Sequence, residues 1–367
     1  MTSCLAMHMA NELLDVRVAA MTLAVAAAAV AVAAARARRT TQADKLPLMG
    51  VMGAFVFAAQ MINFALPGMP GTSGHLGGGV LLAILLGPAA GIITMTSILI
   101  IQCLIFQDGG LLALGCNVIN MGVVPCLAGW WLYRRVLGKA EIAPAWRQYL
   151  SAWAACLVGV TLGAALVPVE TSLAGRLVIP MSHFLAVMVG VHLIIAAMEG
   201  LITFAVLAYL RKVHPAYIGL RCATAGQAGL SRKAVALSLI ATAALLAGVV
   251  SWFASPYSDG LEWSYLEHRY GGAPKATRQP TAAVNAVDEL QSKYTPMPDY
   301  TVRSRSSGAT EAAAIEEADQ EAWPGVNGWT TLAGLVGTVL ALLVVYLVSR
   351  LLGRKARAGE RAPTAPV

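Results

Sequence analysis

Long apolar runs organise this chain. They fall at residues 13–35, 47–66, 76–87, 88–107, 111–133, 148–168, 180–210, 233–254 and 329–349. Most approach the ~20 residues that an α-helix needs to cross a bilayer. The pattern therefore predicts an all-α integral membrane protein with about nine transmembrane helices, seven followed by two. The run at 76–87 is short and is bounded by Gly77-Gly78-Gly79 and Gly87-Pro88, which predicts a partial or tilted span. Broken helices of that kind occur where a polar cavity must be lined. Between the last two runs, residues 255–328 are rich in Ser, Thr, Pro and Ala and weak in hydrophobic periodicity. This stretch is expected to be extended or partly disordered.

Composition agrees with the runs. At 57% hydrophobic and 12% charged over 367 residues, the chain is too apolar for a soluble domain. A net charge of +7 raises nucleic acid as a partner, but Lys and Arg lie between apolar runs rather than in one basic patch. Eighteen of the 26 basic residues follow spans one, five, seven and nine, among them Arg36, Arg38, Arg39, Arg134, Arg135, Arg211, Lys212, Arg350 and Arg354. Among short segments on the opposite side only Arg17 and Arg176 remain. Because basic residues gather in cytoplasmic loops, the N-terminus is expected outside, the C-terminus inside, and 255–328 extracytoplasmic. That segment carries eleven acidic and six basic residues, a solvated and mildly negative surface. Six cysteines without C-x-x-C spacing support neither a disulfide framework nor a zinc knuckle.

The candidate chemistry is concentrated in two histidines. If the mature chain begins at Met7, its terminal amine, the following amide nitrogen and the His8 imidazole can chelate one divalent ion through fused five- and six-membered rings. A near-planar set of nitrogen donors suits Ni(II) or Cu(II), whereas Mg and Ca prefer oxygen. His75, in GTSGHLGGG, is the candidate fourth donor; a histidine beside an apolar, glycine-rich run needs a partner or a cavity. Residues 1–6 (MTSCLA) lack the charged start and apolar core of a secretory signal. They read as an over-long start, with a short leader as the alternative.

Asn117 and Asn120 lie three apart on the outer half of span five, so both amides fall on one helical face, placed to hold a docked terminal loop, to orient a ligand imidazole, or to bond between helices. Asp108-Gly109-Gly110 predicts a tight outer turn, with Asp108 a lesser candidate to support a ligand from behind. His192 and Glu199, seven apart in span seven, share a face two turns apart; metal transfer and interhelical packing are both open for them. His183, His214 and His268 receive no role. No G-x-x-x-x-G-K-[ST] occurs, so this chain has no such motif with which to bind ATP.

Four blocks carry a family resemblance: MHMANELL (7–14), LPLMGVMGAFVFAAQMINF (46–64), GTSGHLGGGVLLAILLGP (71–88) and FQDGGLLALGCNVINMG (106–122). They resemble the CbiM/NikM substrate-binding components of cobalt and nickel energy-coupling factor transporters. SDGLEWS (258–264), MPDY (297–300) and a final span resemble the small CbiN/NikN partner, fused here to the same chain. The resemblance implies that the mature terminal amine, the second-residue amide and imidazole, and the Gly-Ser-Gly-His histidine ligate the metal. Those positions are Met7, His8 and His75, with Ser73, Asn117 and Asn120 behind them. It implies residues 1–6 as start or leader, 7–232 as the metal-binding membrane domain, 233–355 as the CbiN/NikN-like segment and 356–367 as a cytoplasmic tail. Ni(II) or Co(II) is then the transported substrate, and the partners are a transmembrane coupling (T) subunit and two ABC-type ATPases, with no nucleic acid. Asn11-Glu12 stands where the family more often has Asp-Gly, and Ser258 where it commonly has proline.

Two other function classes compete. Gly71-Thr72-Ser73-Gly74 resembles the G-x-S-G nucleophile motif of rhomboid proteases, which would make Ser73 a nucleophile with His183 or His192 as base. The third class is a membrane protein that binds or senses metal without transporting it.

Overall fold

The computed structural model describes residues 8–41, 45–138, 144–218, 230–265, 277–301 and 324–359. Every apolar run forms helix over most of its length. In chain order these are α1 (Val16–Thr40), α2 (Leu46–Gln60), α3 (Gly79–Leu86), α4 (Pro88–Phe106), α5 (Leu114–Leu137), α6 (Ala145–Leu173), α7 (Met181–Val213) and α8 (Arg232–Gly248). Two short helices follow, α9 (Gly260–Tyr265) and α10 (Ala282–Tyr294), and then α11 (Gly328–Gly359).

The nine runs give helices of unequal length. Among the described residues six helices are long and apolar enough to cross a membrane: α1, α4, α5, α6, α7 and the Gly328–Gly353 part of α11. The other three runs give α2, α3 and α8, of 15, 8 and 17 residues. At about 1.5 Å per residue, α3 rises only about 12 Å, well short of a ~30 Å hydrocarbon core. It survives because it is interior. All its residues except Ile84 are buried, so its open backbone ends face protein, the one place at membrane depth where irregular backbone is tolerated.

Close helix contact rests on small residues, as it must where lipid is as apolar as the side chains. Ala19, Ala26, Ala33 and Ala37 form the buried stripe of α1, which packs against α4 and α5. At Gly115 an added Cβ would fall 2.3 Å from the backbone nitrogen of Leu23. The two C-terminal spans join the same bundle: α11 runs along α2, and a Cβ on Gly337 would strike the Phe57 ring at 2.1 Å.

The helices alternate in direction, which collects His8, the loops after α2, α4 and α6, and the segment between α8 and α11 at one end of the bundle. The basic residues of the last turns of α1, α5 and α7 (Arg38, Arg39, Arg134, Arg135, Arg211, Lys212) mark the opposite end.

Where it is described, the segment expected to be extended or partly disordered contains short helices. Asp259 Oδ1 accepts from the Glu262 amide at 2.7 Å at the start of α9, and Thr281 caps α10. The segment folds through a few deep anchors, namely Leu261, Tyr265, Val284, Gln291 and Tyr300, rather than through one continuous apolar face. That is why its periodicity is weak. Residues 266–276 and 302–323, including His268, lie outside the described residues.

Candidate metal centre

The N-terminal arm enters the bundle as extended chain, turns through Asn11–Leu13, and meets α1 at Asp15, whose side chain accepts from the Val18 amide. His8 is buried to 2% exposure. Asn117 takes both main-chain groups of the next residue, accepting from the Met9 amide at 3.0 Å and donating to its carbonyl at 3.2 Å. The Gly110 amide donates to the same carbonyl. Here the glycines of Asp108-Gly109-Gly110 are required: Gly109 has φ +91°, and a Cβ there would sit 2.9 Å from that of His8. Asn11 accepts from the Leu112 amide at 2.7 Å and donates to Asp288 and Gln291.

His8 and His75 come together across 67 positions, their ring centroids 5.6 Å apart. With metal–nitrogen distances of about 2 Å, one ion between the rings can reach both. They line a cavity of about 90 Å³ with Met9, Asn117, Asn120, His192, Glu199 and Asp259. His8 Nδ1 lies 2.6 Å from Asp108 Oδ1, and Tyr300 donates to the other oxygen of that carboxylate at 2.7 Å. His8 Nε2 is buried without a hydrogen-bond partner among the described residues. A carboxylate on one imidazole nitrogen is the usual way to fix a ligand ring. Yet a six-membered ring with the His8 amide nitrogen closes only through Nδ1, the atom that Asp108 holds. Forming the chelate therefore requires His8 to leave Asp108.

Two acids at this site, Asp108 behind His8 and Asp259 on the cavity wall, are tuned in opposite directions. Burial alone would raise Asp108, but the His8 charge and hydrogen bond, the Tyr300 hydroxyl and the charge of His75 together leave it below the ordinary carboxylate value. Burial pushes Asp259 up to about 7, and the Glu262 amide only partly offsets this. The Tyr300–Asp108 contact is flanked by strain. Gln107, Asp299 and Tyr300, the non-glycine residues of positive φ among those described, sit at +58°, +51° and +56°. Such backbone costs on the order of 1–3 kcal/mol per residue and clusters at functional sites.

The remaining expected residues are placed as follows. Met7 lies outside the described residues. Asn117 and Asn120 both line the cavity but face different partners. Asn117 holds the arm, while Asn120 donates to Glu170 of α6 at 2.8 Å. The helix becomes π-wound from Val118, and a wider turn changes the direction that three-residue spacing gives. Ser73 is fully buried, and its hydroxyl donates to the carbonyls of Tyr257 at 2.8 Å and Ser258 at 3.2 Å. A nucleophile needs a base within hydrogen-bond reach, but His192 Nδ1 pairs with the Met188 carbonyl instead. Ser73 instead docks the C-terminal segment, continuing the short pair Phe64–Ala65 with Ser73–Gly74 through a parallel bridge to Asp259. Glu199 accepts from the amides of Gly77 and Gly78. Among the described residues no three His, Cys, Asp or Glu side chains converge as a metal site, so two imidazoles need donors of another kind.

Sequence reasoning missed Asp259, Tyr300, Gln291, Asn11 and Glu170. Gln291 donates to the carbonyls of Cys103 and Gly109 and accepts from the Leu111 amide. Arg176, noted only as an isolated charge, is buried; it donates to the Glu12 carbonyl at 3.1 Å and to the Arg278 carbonyl at 2.6 Å. A lone arginine opposite the positive-inside loops was the signal for it. For Asp259 the signal was an acid followed by glycine, since a Cβ on Gly260 would fall 2.5 Å from Val191.

Comparison with known proteins follows the same division. Residues 8–217 match the CbiM family, described as the cobalt uptake substrate-specific transmembrane region, and residues 233–354 match the PDGLE domain. The chain is 30% identical over 348 residues, 94% of its length and 98% of the relative's, to the "Putative fused nickel transport protein NikMN" of Archaeoglobus fulgidus. It is 30% identical over 231 residues, 60% of its length and 66% of the relative's, to the fused nickel transport protein NikMN of Rhodobacter capsulatus. The crystal structure of a truncated transition metal transporter is similar at 30% identity and a TM-score of 0.49, covering 55% of this chain and 97% of that one. The chain is a multi-pass membrane transport protein, not an enzyme, and belongs to the CbiM family, with a PDGLE domain following in the same polypeptide.

Proposed function

We propose that this chain is the substrate-capture component of an ATP-driven energy-coupling factor transporter, and that it binds Ni(II) or Co(II) through the Met7 amine, the His8 amide and imidazole, and His75. The observation that carries this reading is the burial of His8 against His75 at the inner end of an arm pinned by Asn117, Asn11 and Asp108. Nothing in packing alone calls for two imidazoles tilted at 47° to each other in a cavity. Nitrogen donors select transition metals over Mg and Ca. Capture exchanges Asp108 for the ion on His8 Nδ1, and Tyr300 still donates to the carboxylate that His8 leaves.

The cavity end of the bundle faces outward and the basic end faces the cytoplasm, as seven spans followed by two would have it, the shorter helices completing the count. Release inward requires a state in which the chelate is broken, driven by differential interaction with a coupling subunit and two ATPases. The sequence carries no G-x-x-x-x-G-K-[ST] motif, in keeping with ATPases supplied by partners.

N-terminal sequencing of the purified protein, combined with Ni(II) and Co(II) titration, tests the ligand set. Tight binding is expected only from molecules that begin at Met7. A preparation that keeps residues 1–6 and still binds either ion tightly rules out the amine chelate.

A further inference from the structure

We propose that Glu199 is the residue through which movement of the membrane bundle reaches the metal: it holds the turn that carries His75 in its ligating position, and its withdrawal releases the ion. The proposal rests on His75 being a ligand, as argued above.

Glu199 sits in the middle of α7, a 33-residue span, and is fully buried. A carboxylate there is costly unless donors surround it, and such residues mark function. Its donors are two successive backbone amides, Gly77 at 2.7 Å and Gly78 at 3.1 Å, one on each oxygen. These groups stand at the N-terminal end of the broken helix α3, where Gly78 takes φ +80° before the helix begins at Gly79. Open amides and the helix dipole both favour a negative charge at that end. The fit leaves no slack, because a Cβ on Gly77 would lie 2.8 Å from Glu199 Oε2.

His75 is two residues upstream, on the same extended segment. Its position is therefore set from one side by the Ser73–Ser258 contact and from the other by Glu199. The first restraint belongs to the C-terminal segment. The second belongs to a membrane helix that lies at the edge of the bundle, with Leu193, Leu201 and Phe204 exposed on its outer side. α7 does not move alone. A Cβ on Gly200 would fall 2.3 Å from the Trp153 ring, and Trp153 donates to the Ala197 carbonyl at 3.2 Å. Beside Glu199, α6 and α7 are thus locked as a pair. A displacement of that pair by a partner membrane subunit acts on the His75 segment through the Gly77 and Gly78 amides on Glu199, and beside them through Ile195 of the same helix, from which a Cβ on Gly74 would lie 2.6 Å. Glu199 touches no ion in this scheme and is a positioning residue.

The test uses the purified full chain with its N-terminus verified, Ni(II) alone as probe, and two readouts: affinity by calorimetry and the absorption band of a planar four-nitrogen Ni(II) complex. Glu199→Gln replaces one acceptor oxygen by an NH2 that meets a backbone N–H head on. It is expected to weaken Ni(II) binding by about 10- to 100-fold, the usual effect of losing a partner behind a ligand, and to give the absorption spectrum of His75→Ala. Gly77→Ala probes the same contact from the loop side, should Glu199→Gln fail to fold, and is expected to shift the spectrum in the same direction. Wild-type affinity together with the four-nitrogen band in either well-folded variant overturns the proposal. So does a variant that loses even the complex retained by His75→Ala, because the contact would then not act through His75. If His75→Ala itself binds Ni(II) like the wild type, the ligand reading fails, a result separable from both.

Discussion

The two histidines of the site are held in different ways. His8 rides on an arm restrained mainly by side chains from elsewhere: Asp108 and Asn117 directly, and, through Asn11, Asp288 and Gln291 of α10, with one backbone bond from the Gly110 amide to the Met9 carbonyl. His75 rides on a segment held by its own backbone, through a bridge to Asp259 and two amides on Glu199. Side-chain restraints can be exchanged one at a time, so the arm is suited to closing over an ion. Backbone restraints shift together with the elements that bear them, so the His75 segment is suited to receiving a conformational signal. The PDGLE-type segment reaches both, Gln291 serving the arm and residues 257–259 serving the loop.

The largest expected effect separates the two ligands. His8→Ala is expected to abolish tight Ni(II) binding, because it removes the imidazole that closes the chelate. His75→Ala is expected to leave a weaker complex of the terminal nitrogens. Calorimetry of the two variants side by side decides; equal loss would mean that arm and loop do not bind independently.

Gln291→Ala should act on the arm alone. It leaves the Leu111 amide without its acceptor, and a buried unpaired group costs about 1–3 kcal/mol. Hydrogen exchange is expected to quicken at residues 109–112 and around Asn11 while residues 74–78 keep their protection. Faster exchange at 74–78 as well would erase the distinction between the two regions.

The smallest effect is a pH dependence of the loop side. Asp259 is raised to about 7 by burial, so the folded segment prefers its protonated form. Docking of residues 257–265 is then at full strength below the ordinary carboxylate value of about 4 and is lost as pH rises through about 7. The Asp108 contact has the opposite sign, being present above about 4 and lost only as pH falls through its lowered value. The protection of 257–265 against hydrogen exchange, taken relative to the intrinsic rate at each pH, is expected to fall between pH 5 and pH 8 in the wild type and to stay flat in Asp259→Asn. An unchanged slope in that variant would place the titration elsewhere.

Much of this was legible in the chain. Helix positions follow from apolar runs because a bilayer demands length and apolarity in consecutive residues, and the break before α3 was written as Gly77-Gly78-Gly79. The pairing of His8 with His75 was readable from the chemistry, which needed a fourth donor and found one in a glycine-rich loop, and from the family resemblance, but not from spacing, since nothing local joins residues 67 positions apart. Asn117 and Asn120 show the limit of spacing arguments: helical periodicity put them on one face, and π-winding gave them separate partners.

By itself, the sequence determined a membrane bundle, the alternation of its basic ends, and a glycine-rich histidine loop, because each of these is a property of neighbouring residues. Only the tertiary structure decided that Asp108 holds Nδ1 of His8, that Tyr300 and Gln291 reach back from the C-terminal segment, and that Glu199 accepts from the turn below His75. Each of these is a buried polar group satisfied by a partner far along the chain. Desolvation makes such a pairing obligatory, but it leaves the choice of partner to the fold.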